Sequence, residues 1–397
     1  MLPTQDASAS RELLRFYGVF AASQFLLDSS IWSFYLTQQC QLSLPSAVAV
    51  HTSITAASGL LDLPTGSWAD RFGRRRMILL GFLSRAVSAA LMAFAPSLPV
   101  LVLAALLAGF GWAQLSGATE AFLHDNVKAV GLEHFFPRYM SNAVIVSYIS
   151  RTAAFALSGF LFVACPWFPY ALLAAVLVLG AAIAFSIPER AFQRQEFSND
   201  LEHIKGATKV FLSTPALLRF ALVSLVIGVV SEQLWFSIQP LLSSVQMSVK
   251  TIGLAYAAAS AGSAMGAQLA KRLLARQRQE LAMAGAVAFL GCGALIFSLA
   301  RPEGAYFGIA QIVTCIGFGA SWASTSSILN ASLPSSHRAA CLSLCSSIGT
   351  ALTGLVGMGL GFALERFGVV AVPAVVALAA VILAPAASFS VRALKRA

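Results

Sequence analysis

Residues 66–81 read GSWADRFGRRRMILLG. Arg71, Arg74, Arg75 and Arg76 gather there beside Asp70, in a chain where 11% of residues are charged and 58% are hydrophobic. A charge cluster between apolar stretches marks the edge of a barrier, because ionised side chains hold helix ends in water and rarely enter lipid. Beyond it, Ile78 to Leu106 contains a single charged residue, Arg85, and Leu161 to Ile187 contains none.

A chain of 397 residues normally suggests two or three soluble domains. A mean hydropathy of +0.79 argues otherwise, since it leaves too little polar surface to keep a compact globule in water. About 20 apolar residues at 1.5 Å rise cross the hydrocarbon core. Twelve such runs are readable: 13–37, 46–69, 77–95, 98–124, 139–163, 167–187, 215–241, 250–270, 281–300, 304–330, 339–364 and 368–390. The expected fold class is therefore an all-α membrane protein with twelve transmembrane helices. Gly262, Gly266, Gly357, Gly359 and Gly361 within the runs suit close helix packing in lipid. The polar start, Met1 to Ser10, leads directly into the first run and shows no signal-peptide pattern.

Net charge +10 would suit a nucleic-acid partner if the basic residues formed one patch. They alternate between loops instead. With the N-terminus inside, inward-facing segments hold Arg11, Arg15, the 71–76 cluster, Arg138, Arg190, Lys205, Lys209, Lys271, Arg272, Arg276, Arg278, Arg392 and Lys395. The opposite side holds Lys250, Arg301 and Arg366, and Arg85 and Arg151 lie inside runs. This positive-inside pattern places both termini in the cytoplasm of a multi-pass inner-membrane protein and needs no nucleic acid. Cysteine spacing matches no metal site. Cys40 and Cys165 both fall near the outer side, where an oxidising compartment permits a disulfide, although free buried cysteines are common.

The same plan occurs twice. SRELLRF (10–16) opens the first run and TPALLRF (214–220) the seventh; GFG at 109–111 recurs at 317–319. Arg138, Gly159 and Phe162 match Arg338, Gly359 and Phe362, and Gly66 matches Gly266, all at nearly constant displacement. Residues 1–187 and 215–397 thus read as two six-helix bundles. The polar stretch 188–214 between them reads as a cytoplasmic linker with a surface helix near Asp200 to Phe211.

The inward loop Gly66-Ser67-Trp68-Ala69-Asp70-Arg71-Phe72-Gly73-Arg74-Arg75 resembles the signature of the major facilitator superfamily, G-x-x-x-D-R-x-G-R-[KR]. Asp62-Leu63-Pro64-Thr65 before it and SGATEAFLHD (116–125) at the end of run four are similar to patterns of bacterial members. The resemblance implies two pseudo-symmetric six-helix bundles and transport by alternating access. It also implies that these loop contacts form an inner gate that breaks in the inward-open state. Physically, Gly66 and Gly73 permit a tight turn. The Asp70 carboxylate is placed near the N-terminus of run eleven, where amides and dipole favour it, and Arg71 or Arg74 can pair with Asp125. Asp70→Asn is expected to slow transport roughly two- to thirtyfold at unchanged membrane insertion. Uptake into vesicles normalised to inserted protein measures this, and an unimpaired rate would remove the latch.

Ionisable groups within apolar runs are expensive and hence functional candidates. They are Asp28, Asp62, Arg85, Glu120, Arg151 and Glu232. Asp28 and Glu232 follow the two LLRF matches at equal distance. Two acids facing one cavity can exchange a proton for a cationic substrate. Two other readings stay open: Asp28 paired with Arg85 or Arg151, and Arg151 as an anchor for an anionic group. Asp62 and Arg85 read as a structural pair near the inner gate, with Glu120 in the latch. Trp32, Trp112, Trp235 and Trp322 fall in runs one, four, seven and ten. Aromatic walls there suit an amphipathic substrate, with Gln114, Gln233 and Gln239 as polar anchors.

These residues point to a secondary-active transporter of a small organic molecule, by proton-coupled efflux, acting as a monomer in the lipid bilayer with the substrate and protons as its partners. Proton-coupled uptake of a metabolite would use the same residues. Run five, SYISRTAAFALSGFLF (147–162), lacks the Gly-Pro pair that proton-driven exporters of the family often carry. An enzyme is not expected, because His51, His124, His134, His203 and His337 are scattered away from nucleophiles. No cofactor is expected, and no Walker motif provides for ATP.

Overall fold

The computed structural model describes residues 7–94, 97–190, 200–299, 304–334 and 338–396. Its elements are α1 (Ala7–Ser23), α2 (Trp32–Phe34) continuing into a π-helical turn (Tyr35–Gln39), α3 (Leu44–Phe72), α4 (Arg74–Phe94), α5 (Leu98–Leu115), α6 (Ala118–Ala129), α7 (Phe136–Ala164), α8 (Phe168–Phe185), α9 (Asp200–Ser213), α10 (Pro215–Ser244), α11 (Val249–Ala275), α12 (Gln279–Leu299), α13 (Gly304–Ser332), α14 (Arg338–Phe367) and α15 (Ala371–Arg396). No strand occurs among the described residues. Among the described residues, ten stretches are long and apolar enough to cross a bilayer.

Two of the twelve apolar runs are not among those ten. Run eight is α11, a continuous helix of 27 residues whose Ser260, Ser263, Gln268 and Lys271 lower its hydropathy. Run one is interrupted, because the backbone is unwound between Ser23 and Trp32. Run four is also divided, into α5 and α6, at Ser116 and Gly117. The helix expected near Asp200 to Phe211 is α9, packed against α14.

Repeated sequence gives repeated local structure. Ser43 caps α3 by accepting from the Ser46 amide, and its hydroxyl meets that of Ser46 at 2.9 Å. Ser248 caps α11 in the same way, with Thr251 as its partner at 2.8 Å. Each Ser-x-x-Ser/Thr satisfies an orphan amide at the start of an even-numbered run.

One apolar core draws on α1, α4, α5, α6, α7 and α8, and a second on α9, α10, α12, α13, α14 and α15. A third, containing Ile31, Trp32, Tyr35, Phe236, Ile238 and Tyr256, draws on both halves of the chain. Ion pairs define one end of the molecule, here called the basic face. Arg190 meets Glu12 at 2.6 Å there, Arg392 meets Glu280 at 2.6 Å, and Arg74 pairs with Asp125.

Toward the opposite face the halves meet along two seams, α3 with α14 and α7 with α11. A Cβ on Gly354 would lie 2.1 Å from the backbone nitrogen of Ala56, and one on Gly159 would lie 2.4 Å from the Val249 carbonyl oxygen. Only glycine permits such backbone approach.

Candidate functional site

A cavity of about 780 Å³ opens at the basic face between α9, α10, α13 and α14, with Thr55 of α3 on its far wall. Its mouth is formed by Phe211, Leu218, Asn330 and Leu342, at the basic-face ends of their helices. Its depth reaches Ser231, Glu232 and Thr353. Glu232 lies on the continuous helix α10 next to Ser231, whose hydroxyl donates to Ile227 O at 2.6 Å within the same helix. The wall is rich in hydroxyls (Ser224, Ser321, Thr325, Ser346, Thr350), and Phe318 and Trp322 add aromatic surface. Trp322 is 72% exposed, so its ring is free to meet a ligand. Among the described residues, Glu232 is the one carboxylate on the wall and no cationic side chain forms an ion pair with it.

The structure does not bring Asp28 to this cavity. Asp28, Trp32, His51, Arg85, Ser88, Trp112 and Tyr170 enclose a separate chamber of about 40 Å³ among the N-terminal helices. The expected sharing of one cavity by Asp28 and Glu232 is thus corrected. The physical reason is the break in run one. Glu232 sits on a continuous helix, whereas Asp28 lies in unwound backbone that turns toward α4. Trp32 stacks on His51 with ring centroids 4.1 Å apart and planes 4° from parallel. The Arg85 guanidinium lies 3.8 Å over the Trp112 ring and donates to Ser23 O at 2.9 Å. A second correction follows, since the partner expected for Asp62 was Arg85. Asp62 instead accepts from Ser347 of α14 at 3.1 Å.

The remaining candidates are dispersed. Arg151 donates to Gln24 in the unwound segment and lies 5.4 Å from the Tyr148 ring. Gln233 is buried and donates to Thr353 O at 3.0 Å, tying α10 to α14. Trp235 packs edge-on against Tyr256. Gln114 is buried away from the cavity, with neither amide atom hydrogen-bonded. Trp322 alone of the four tryptophans lines the main cavity. Cys40 and Cys165 are both free.

At the basic face Gly73 takes φ +98°, and the turn aims the Arg75 amide at Glu189, which accepts at 3.1 Å. A carboxylate at the N-terminus of α4 is favoured by the helix dipole. Arg74 reaches across to Asp125 and also donates to Ala121 O at 2.8 Å. Arg74, rather than Arg71, therefore makes the pair with Asp125. The surroundings of Gly66 and the side chains of Ser67 and Asp70 lie outside what the structure describes. Glu189 was missed by sequence reasoning; its signal was an acid just beyond run six, next to an arginine-rich loop.

A family model described as Major Facilitator Superfamily matches residues 16–358. The chain belongs to the major facilitator superfamily. Family and fold are those of membrane transporters. Among curated relatives, the "Multidrug efflux pump LfrA" of Mycolicibacterium smegmatis is 36% identical over 25% of this chain and 20% of its own length. "Multidrug resistance protein 1" of Bacillus subtilis is 29% identical over 38% of this chain and 39% of its own. The chain thus spans well under half the length of these two relatives. Among solved structures, the nucleoside transporter NupG, as its D323A mutant, superposes with TM-score 0.81 at 15% identity, covering 96% of this chain and 99% of its own. A bacterial homologue of the lysosomal transporter Spinster, in an inward-facing and unoccupied conformation, gives TM-score 0.72 at 16% identity, covering 99% of this chain and 98% of its own. At such identities these two likenesses concern the fold alone.

Proposed function

We propose that this superfamily member is a twelve-span, monomeric secondary-active transporter of the inner membrane that exports a small amphipathic organic molecule in exchange for protons. Residues 1–187 and 215–397 act as two bodies joined by the linker 188–214, and both termini and the basic face lie in the cytoplasm. One observation carries the reading. Glu232 is the lone carboxylate, among the described residues, on the wall of a cavity open at the basic face, while the halves are packed tightly toward the other. A carboxylate without a fixed cation can hold either a proton or a cationic ligand, which is the elementary condition for exchange. The hydroxyls and Trp322 supply orientation and aromatic contact. The names of the two multidrug relatives support the outward direction.

Proteoliposomes loaded with acidic buffer test it. With the basic face outward, a fluorescent planar monocation is expected to accumulate inside when the lumen is acid and to stop when the gradient is collapsed. Accumulation driven only by an alkaline lumen would indicate co-transport of protons with the substrate and overturn the exchange reading.

A further inference from the structure

The unwinding of the first span exposes backbone groups that a continuous helix would pair, and in a membrane each requires a partner. Side chains provide them. Ser150 donates to Ala21 O at 2.7 Å and Arg85 to Ser23 O at 2.9 Å, both from the N-terminal half. The far end of the break is served from the other half. Gln239 of α10 donates through Nε2 to Ser29 O at 2.5 Å, and its Oε1 accepts from the Ser33 amide at 3.0 Å. Ile31, where α2 begins, has no side chain able to cap the helix. Gln239 supplies that cap from across the interface.

We propose that Gln239 is the positioning residue of the gate opposite the basic face: its amide holds the broken first span against the C-terminal half, and the parting of these two bonds opens the cavity to that side. The inference rests on alternating access, but on neither the substrate nor the direction of transport.

Three features support the assignment. Gln239 is fully buried and does not line the cavity, so it serves the closure rather than the ligand. The contacts around it, Phe236, Ile238, Leu241 and Leu242 against Ile31, Trp32, Tyr35 and Leu36, are apolar and tolerate sliding. The paired hydrogen bonds are directional and fix one register between the halves. The third feature is reversibility. When the gate opens, water takes over the bonds to Ser29 O and the Ser33 amide, so each bond biases closure by roughly two- to tenfold rather than locking it. The adjacent Ser30–Ser158 hydroxyl contact, at 2.5 Å, also joins run one to run five, but both residues belong to the N-terminal half and need not part.

Gln239→Leu removes both bonds and leaves Ser29 O and the Ser33 amide unpaired only in the closed state. Hydrogen–deuterium exchange of the full chain in lipid nanodiscs reads the result without any substrate. Peptides spanning 24–39, 155–164 and 248–256 are expected to exchange roughly tenfold faster, while 218–231 and 325–334, which line the cavity, become more protected as the population moves toward the outward-open state. Gln239→Glu, which keeps an oxygen acceptor for Ser33, is expected to give an intermediate shift. Ser237→Ala alters a bond internal to α10 and should match the unmodified protein. Unchanged exchange at 24–39 in both Gln239 variants would overturn the proposal. So would acceleration of the cavity-lining peptides along with the gate peptides, since that pattern marks general loosening rather than a gate.

Discussion

Arg85→Met is expected to lower the stability of the protein by about 1.5–3 kcal/mol, the worth of a hydrogen bond from a charged donor to a buried carbonyl. The side chain is 5% exposed, donates to Ser23 O, lies over Trp112 and shares its chamber with Asp28, within electrostatic reach of that carboxylate. Its loss leaves the end of α1 without its cationic cap and Asp28 without its counter-charge in a space of about 40 Å³. Equilibrium unfolding in mild detergent measures the effect. Arg85→Met combined with Asp28→Asn is expected to recover only the part of the loss that comes from the electrostatic attraction between the two groups, since the bond to Ser23 O and the contact with Trp112 stay missing. Arg85→Lys recovers little, since an ammonium cannot both stack on Trp112 and keep the bond to Ser23 O. Equal stability of the single and double variants would show that Asp28 and Arg85 do not act as a pair.

Much of the architecture was legible because it rests on composition and repetition. The apolar runs, the doubled plan and the arginine loop at 71–76 all follow from the cost of charge in lipid, which the sequence must respect at every span. The break in run one was not legible. Gln24-Phe-Leu-Leu-Asp-Ser-Ser-Ile31 contains neither glycine nor proline, so no local preference announces the unwinding. Its partners are remote: Arg85 and Ser150 each answer one backbone group at its near end from another helix, and Gln239 answers two at its far end. The division of run four carried a clearer sign in Gly117, at φ +67°, which propensity arguments allow but do not demand.

The same break explains the uneven outcome for the site. The displacement that relates Asp28 to Glu232 is a property of sequence, and it transfers to space only while both helices stay regular. Glu232 keeps its place on α10, and Asp28 does not keep the matching one. Gln239 was readable as a polar residue near the cavity, but its direction was not, because nothing local distinguishes a glutamine facing a ligand from one that caps a helix in the other half. Of the glycines read in run eleven, Gly357 and Gly361 approach Thr52 and Pro45 of α3 closely, whereas a Cβ on Gly359 would meet nothing within 4 Å. That Gly354 meets Ala56 of α3 is a tertiary fact.

Glu232→Gln is expected to abolish gradient-driven accumulation while leaving substrate exchange at equal concentrations measurable. The substitution keeps the volume and the hydrogen-bonding capacity of the side chain, so cavity shape and folding should survive. What is lost is the ability to bind and release a proton, and with it the coupling of substrate movement to the gradient. A second consequence follows from Coulomb's law. A cation about 4 Å from the carboxylate gains about 1 kcal/mol in bulk water and about 4 kcal/mol at an effective dielectric near 20. A cavity open to solvent lies between these limits, so a monocation should bind roughly ten- to a hundredfold more weakly to the variant. A neutral molecule of the same shape should bind nearly unchanged, because Trp322 and the hydroxyl wall are untouched. Binding by calorimetry and uptake in proteoliposomes separate the two effects. Asp28→Asn is the informative companion, since its carboxylate lies in the N-terminal chamber and should leave the affinity of the monocation intact. Full gradient-driven accumulation by Glu232→Gln would move the proton site elsewhere. Full accumulation together with unaltered cation affinity would remove Glu232 from the mechanism.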